Sequence, residues 1–206
     1  MAPGSIRSVV RALTGLRRKA LATLTARSPC PVATYLTIRR SVAATNLLDD
    51  AAEPVRRRFN AYYGVRRNAV WRAQFYAQFQ AAKGSPLKAP ELFEDVLARI
   101  QADTGRVEAS FASKLVATLR PDAPIIDSVV RGWLAKCSAP PPFGGGIDAA
   151  VEYYRWLDGV FGEAVTSPEA RDWGRVFTDA FPFPPGEDPV SATKQLDFLI
   201  WAGADR

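Results

Sequence analysis

The chain contains no histidine among its 206 residues. Histidine is the commonest general base near neutral pH, so its absence excludes the usual zinc sites and every Ser-His or Cys-His nucleophile pair. Cysteine is scarce as well, since Cys30 and Cys137 are the only two. Two cysteines are too few for a disulfide scaffold or a cysteine-ligated cluster. We therefore expect a protein of a reducing, cytoplasmic compartment that uses no metal and no cofactor.

Long apolar runs are missing too. No segment approaches the roughly 20 apolar residues that a helix needs to cross a bilayer, so we expect no membrane partner. Hydrophobic residues nevertheless make up 48% of the chain and aromatic residues 11%, which is enough for a core and argues against disorder. At this length the sequence fits one domain, with or without an appended arm.

Acidic residues are rare in the first part of the chain. Residues 1–88 carry 16 lysines and arginines against three acids, a net charge of +13, whereas residues 89–206 carry 11 against 18, a net charge of −7. A basic half of this size is typical of proteins that bind a polyanion, since each neutralised phosphate releases counterions. The alternative is a solvated basic face, or one that pairs with the acidic half of the same molecule, and composition leaves both open.

The first helical segment, SIRSVVRALTGLRRKALATLTARS, has apolar residues at helical spacing, arginines opposite them and no acid. Such a composition also resembles an organellar transit peptide. Because the same composition, rich in alanine, arginine and proline, continues along the chain, we favour a basic helical arm over residues 1–48 rather than a transit peptide. A single all-α domain is expected to follow over residues 49–206.

Prolines and glycines divide the rest of the chain into helical segments. Pro54 and Pro90 open predicted helices, Gly105 and Pro121 end them, and no segment shows the period-2 alternation of a strand. The loop SAPPPFGGG is followed by three more helical patterns, at about 147–163, 168–180 and 190–202. Eight or so helices joined by short loops predict an all-α fold.

Aromatic residues alternate with arginines between Glu53 and Gly84. Trp71, Phe75 and Phe79 recur every four residues and so form one stripe along a helix. Basic residues interleaved with aromatics can bind a nucleic acid by phosphate contact and base stacking. A stripe at this spacing is more often part of a core, and we favour that interpretation.

The stretch SFASKLVATLRPDAPIIDSVV contains a lysine and an aspartate that suggest a site. Asp127 follows two isoleucines at the first turn of a predicted helix, where free backbone N–H groups and the helix dipole favour a carboxylate. Lys114 is expected near the edge of the buried face of the preceding helix. Asp127 is therefore either a helix cap, which contributes about 1 kcal/mol, or the acid of a small active site that also contains Lys114.

This stretch, with the late segment TKQLDFLIW, resembles a family of small uncharacterised bacterial proteins over about residues 60–202. The residues that carry the resemblance are Glu108, Ser110, Phe111, Ser113, Lys114, Leu115, Pro121, Pro124, Ile125, Asp127, Ser128, Val130, Lys194, Asp197, Phe198 and Trp201. That family is in turn distantly similar to the helix-hairpin-helix (HhH-GPD) DNA glycosylases. The resemblance implies a multi-helix orthogonal bundle as the fold.

The resemblance also implies DNA as the partner and excision of a damaged base as the activity. In the glycosylases a helix that bears a lysine leads through a short loop to a catalytic aspartate at a helix start. Asp127 is thereby implied as the catalytic acid and Lys114 as the candidate nucleophile. The stretch that would form the DNA-binding hairpin reads TGRVEASFASK, with Gly105 as its only glycine, so we expect a degenerate hairpin.

Two further groups of residues complete the expected site. A pocket for the extruded base is expected from Glu108, Ser110, Ser113, Ser128, Trp133 and Trp71. Phosphate contacts are expected from Arg66, Arg67, Arg72, Arg56, Arg57 and Arg58. The alternative is a non-enzymatic interaction protein that keeps only the helical scaffold, in which the basic half binds RNA, an acidic protein or a membrane surface.

Overall fold

Helices account for the regular structure of residues 3–183 and 189–204, which the computed structural model describes. Ten α-helices and one 3₁₀ turn (Asp50–Ala52) follow one another in these ranges without a strand, which confirms the all-α class. None of the described helices has the length and apolar content that crossing a membrane requires. The helices are α1 (Pro3–Ala26), α2 (Pro31–Ala44), α3 (Glu53–Tyr63), α4 (Ala69–Ala82), α5 (Ala89–Thr104), α6 (Ala109–Leu119), α7 (Ser128–Cys137), α8 (Ile147–Thr166), α9 (Pro168–Ala180) and α10 (Ala192–Gly203).

Local sequence signals fix where many of these helices begin and end. Proline occupies the first turn of α2, α3, α5 and α9, where its missing N–H is not needed. Gly64 and Gly105 end α3 and α5 in the left-handed conformation, at φ 67° and 68°. Asn68 caps α4 by accepting a hydrogen bond from Trp71 N at 2.9 Å. The basic and aromatic segment after Glu53 is therefore divided into two helices, α3 and α4.

Helix α10 runs through the middle of the fold. Nearly all of its residues are buried, because α1, α7, α8 and α9 pack around it. Helix α1 lies closest, and its residues Val9 and Leu13 belong to the same core. The division into an arm over residues 1–48 and a domain over residues 49–206 stays a prediction, but α1 shares the core in which α10 lies.

Aromatic rings fill the space between α3, α4 and α6. Phe59, Phe75 and Phe79 are completely buried, and Trp71 is nearly so. Trp71 stacks on Phe75 with ring centres 5.2 Å apart, and it also contacts Phe111 on α6 at 5.0 Å. The core interpretation of the aromatic stripe is confirmed, so these rings would reach a nucleic acid base only if the core opened.

We expect Gly203→Ala to destabilise the fold. A Cβ at this position would lie 3.0 Å from the Cβ of Leu16 on α1, and 3.1 Å from the Leu16 carbonyl oxygen, which moves only with the backbone. Overpacking of this kind costs about 1–3 kcal/mol, and a urea titration would measure the lower free energy of unfolding.

Gly162→Ala, in α8, is the matched control for this variant. Its added Cβ would meet nothing within 4 Å, so we expect unchanged or slightly higher stability from the better helix propensity of alanine. Equal stability of the two variants would contradict the close approach of α1 and α10.

Candidate functional site

Asp127 lies immediately before α7, as expected. Its backbone is extended, and its Oδ1 accepts a hydrogen bond from Val129 N at 2.7 Å, so its role as a helix cap is confirmed. The side chain is half-buried behind the buried Ile125 and Ile126, while the neighbouring Ser128 is exposed. The second carboxylate oxygen, Oδ2, has no hydrogen-bond donor among the described residues. Capping therefore uses only one of the two oxygens.

A buried serine joins α6 to the turn that carries Asp127. Ser113 Oγ accepts a hydrogen bond from Ile126 N at 2.9 Å and donates one to Ser110 O at 3.0 Å. The serine is completely buried, so bulk water does not compete for these groups. Ser113 thus fixes the backbone just before Asp127 relative to the helix that carries Lys114.

Lys114 is buried, with 8% of its surface exposed, rather than lying at the edge of its helix face. The end of α3 packs over it, and its Nζ donates a hydrogen bond to Tyr63 O at 3.3 Å. Burial lowers the pKa of the amine, and the carboxylates of Asp127 and Asp197 oppose that shift. A lowered pKa leaves more of the amine neutral near pH 7, and the neutral amine is the nucleophilic form.

Two residues of α10 bring further charges close to Lys114. Lys194 and Asp197 lie one turn apart and form a buried ion pair through Nζ and Oδ2. The Lys194 Nζ also lies 4.9 Å from the centre of the Tyr35 ring. Burial raises the pKa of Asp197, and Lys194 opposes this shift. Asp197 interacts electrostatically with both Lys114 and Asp127, so the charges of α6, of the cap of α7 and of α10 influence one another.

Tyrosine hydroxyls complete this group of polar side chains. Tyr35 on α2 and Tyr63 at the end of α3 are buried, and burial raises the pKa of both phenols. Tyr35 Oη has no hydrogen-bond partner among the described residues, which is uncommon for a buried hydroxyl. We name the group the polar centre, and its members are Tyr35, Tyr63, Lys114, Asp127, Lys194 and Asp197. Of these six residues, the sequence predicts a chemical role only for Lys114 and Asp127. The spacing K-x-x-D in the apolar helix α10 is a signal for two more, Lys194 and Asp197.

The connection between α3 and α4 lies beside the start of α6. Arg67, in this connection, forms an ion pair at 2.8 Å with Glu108, the residue before α6. The guanidinium of Arg67 lies 5.8 Å from the ring centre of Trp71 and 5.4 Å from that of Phe111. The structure therefore brings together three predicted site residues, Arg67, Glu108 and Trp71, but the two charges already neutralise each other. Their predicted contacts with DNA stay predictions.

The other predicted phosphate contacts differ in exposure. Arg56 donates hydrogen bonds to Leu47 O and Asp49 O at 2.8 and 2.9 Å, and so holds the loop before α3. Arg72 is half-buried near Tyr76, in a groove of about 320 Å³ between α3 and α4. The three that are exposed are Arg57, Arg58 and Arg66.

Two cavities stand out in the described part of the chain, and neither is lined by Lys114 or Asp127. One is the groove that contains Arg72, and the other lies between α1 and the end of α7, beside Lys136. Trp133, expected in the base pocket, is buried in the core on α7. Lys114 is thus almost covered, and neither of these two cavities gives access to its amine.

Comparison with known proteins gives no match, since no family model, curated protein or solved structure is similar to this chain. Among the described residues, no group of three or more cysteine or acidic side chains is placed to hold a metal ion. The similarity to the helix-hairpin-helix glycosylases thus stays a prediction from the sequence, and the polar centre has to be interpreted from its own chemistry.

We expect Ser113→Ala to lower the free energy of unfolding by about 1–3 kcal/mol, because the buried Ile126 N–H loses its acceptor. Ser110→Ala is the matched control, since only the backbone carbonyl of Ser110 takes part in this contact. The control should change stability by no more than about 0.5 kcal/mol in the same urea titration. If both variants are equally stable, the Ser113 hydroxyl does not hold the turn.

Proposed function

We propose that this chain is a DNA-binding protein that cleaves an N-glycosidic bond in base-excision repair, with Asp127 and Lys114 as its catalytic residues. The proposal depends on one observation, which is a buried lysine amine that interacts electrostatically with the half-buried carboxylate of Asp127. The two side chains belong to adjoining elements that Ser113 holds together. The histidine-free composition is compatible with this chemistry, because neither residue needs a histidine partner.

The Lys114 amine would act on the sugar of an extruded nucleotide. Its lone pair forms a bond to C1′ while the glycosidic bond breaks, and the bonding electron pair leaves with the base, which takes up a proton. The nitrogen then loses a proton and the sugar ring opens, with its oxygen protonated, to give a Schiff base. Burial supports this role because it lowers the pKa of Lys114 and so favours the neutral amine.

The Asp127 carboxylate would act on the charge that develops as the base departs. The sugar acquires oxocarbenium character in the transition state, and a fixed negative charge nearby stabilises it. Oδ1 is held by Val129 N, while Oδ2 has no donor among the described residues and is free for this interaction or for orienting a water molecule. The helix cap thus positions the carboxylate and leaves one oxygen for chemistry.

The exposed arginines would bind the DNA backbone. Arg57 and Arg58 lie on α3, and Arg66 follows Tyr63, whose carbonyl accepts the hydrogen bond from Lys114. The basic segment and the polar centre are therefore linked through the end of α3. Phosphate contacts at this position would hold a strand beside the end of α3, where Tyr63 contacts Lys114.

A non-enzymatic helical interaction protein is the second candidate, and the burial of Lys114 favours it. The amine already has a backbone acceptor, Ser113 orders a turn, and Arg67 is paired with Glu108. In this case Asp127 is only a helix cap, and the exposed arginines bind a polyanion without any reaction.

We expect Asp127→Asn to reduce turnover at least about 100-fold on a panel of duplexes that each contain one damaged base. Asparagine caps a helix about as well as aspartate, so the urea midpoint should stay close to that of the unchanged protein. Asp122→Asn, at an exposed position in the same turn, is the matched control and should keep full activity. Absence of turnover in the unchanged protein and in both variants would support the second candidate.

Borohydride added to the same assay tests Lys114. We expect a covalent protein–DNA adduct that disappears in Lys114→Met, because the Schiff base forms only at this amine. Five other lysines, Lys19, Lys83, Lys88, Lys136 and Lys194, remain in that variant as internal controls. An adduct that survives the substitution would exclude Lys114 as the nucleophile.

The exposed arginines are tested by measuring DNA affinity across a range of salt concentrations. When Arg57, Arg58 and Arg66 are changed to glutamine, we expect the plot of log affinity against log salt to become less steep. Its slope should shrink by about 0.9 for each phosphate that is no longer neutralised. Arg171→Gln, an exposed arginine on α9, is the control and should leave the slope unchanged. An affinity that does not depend on salt would contradict phosphate binding.

A further inference from the structure

The groove of about 320 Å³ between α3 and α4 lies outside the polar centre. Its walls are one side of each helix, because the lining residues recur at spacings of three and four. The residues used below are Arg56 and Asn60 on α3, and Ala69, Arg72, Ala73 and Tyr76 on α4. Sites for small molecules have volumes of about 300–1,000 Å³, so this groove suits a small ligand.

Arg56 holds one wall of the groove in place. Its Nη1 donates hydrogen bonds to Leu47 O at 2.8 Å and to Asp49 O at 2.9 Å. Its Nε donates a third to Glu53 Oε2 at 3.1 Å, and the two side chains form an ion pair. The donors and the charge of Arg56 are therefore already used by the fold.

Arg72 on the opposite wall is not used in this way. Its side chain is half-buried, yet its guanidinium has no hydrogen-bond acceptor and no ion-pair partner among the described residues. The charged residues of the lining are two arginines and one glutamate, which gives a net charge of +1. Because Glu53 is paired with Arg56, the unpaired charge of the groove lies on Arg72.

Asn60 offers a second donor to the same groove. The hydroxyl of the buried Tyr76 lies 2.8 Å from Asn60 Oδ1 and 3.0 Å from Arg56 O, so the amide is held on α3 through its oxygen. The Asn60 Nδ2 has no acceptor among the described residues. A ligand in the groove would therefore meet one cationic donor and one neutral donor.

The remaining lining is largely apolar. Leu48, from the loop before α3, is 56% exposed and is one of the few large hydrophobic side chains exposed in the described part of the chain. Ala69 and Ala73 add small exposed side chains from α4. The ring of Tyr76 is only 3% exposed and so gives no face on which a nucleotide base could stack. These surfaces suit an aliphatic group.

We propose that this groove binds a small aliphatic carboxylate, with Arg72 paired to the carboxylate, Asn60 donating to it and Leu48 against the aliphatic part. A monoanion matches the net charge of the lining. Two N–H groups of one guanidinium also match the two oxygens of a carboxylate. A phosphate monoester carries about two charges, more than one unpaired arginine neutralises. The proposal does not rest on the proposed function, because neither Lys114 nor Asp127 lines the groove.

The test is a titration with hexanoate followed by ¹H–¹⁵N NMR, with the backbone amides of Ala69 and Ala73 as reporters. We expect saturable shifts whose midpoint rises at least about tenfold in Arg72→Gln, because a charge-assisted pair is lost. The variant should fold normally, since no protein group loses a hydrogen bond. Arg106→Gln, an exposed arginine between α5 and α6, is the matched control and should leave the midpoint unchanged.

Two comparisons separate the charge of the ligand from its aliphatic part. Hexanamide has the same chain without the charge and should bind at least about tenfold more weakly than hexanoate. Leu48→Ser should weaken hexanoate by about threefold and leave the weaker binding of acetate unchanged. Leu87→Ser, at another exposed leucine, is the matched control and should bind hexanoate like the unchanged protein.

Three results would overturn the proposal. One is a response to hexanoate that does not saturate, and another is an equal midpoint in the unchanged protein and in Arg72→Gln. The third is a shift of the same amides by inorganic phosphate or a short DNA duplex at lower concentration than hexanoate, which would make the groove a phosphate site. The titration with hexanoate contains no DNA, so its outcome is independent of the glycosylase assay.

Discussion

Charges that lie inside an apolar core need protein partners, because water is not there to solvate them. In this fold the requirement applies to Lys114 on α6 and to Lys194 and Asp197 on α10. On α10, Lys194 and Asp197 form an ion pair, and the Lys194 amine also contacts the rings of Tyr35 and Phe198. Lys114 donates a hydrogen bond to the carbonyl of Tyr63 at the end of α3. Meeting all of these needs at once fixes α2, α3, α6 and α10 relative to one another.

The position of Asp127 follows from the same arrangement. The turn that carries it is held from one side by Ser113 on α6 and from the other by Ser191 at the start of α10. The carboxylate is consequently half-buried at the edge of the polar centre, while the basic connection after α3 packs against the start of α6 through Arg67. Asp127 is therefore the only member of the polar centre that is not buried.

Local features of the fold could be predicted from the sequence because they depend on neighbouring residues. Prolines in first turns, glycines at helix ends and the cap at Asp127 each act within one turn of helix. The sequence predicts Lys114 at a helix edge, because helical spacing shows which residues share a face but not which other helix covers that edge. The pairing of Arg67 with Glu108, 41 residues away, is likewise a tertiary contact that no local pattern specifies.

The pKa shifts of Lys114 and Asp197 show how burial of these two groups affects the stability of the fold. The native state lowers the pKa of Lys114 below 10.5, so between the lowered value and 10.5 the unfolded chain binds more protons and stability rises with pH. The pKa of Asp197 is raised above 3.8, so between 3.8 and the raised value the native state binds more protons than the unfolded chain and stability falls as pH rises. Burial of these two groups therefore opposes folding near neutral pH, where apolar residues would serve a scaffold better. A scaffold gains nothing from that cost, whereas the proposed cleavage of an N-glycosidic bond would use the buried Lys114 amine and the half-buried Asp127 carboxylate.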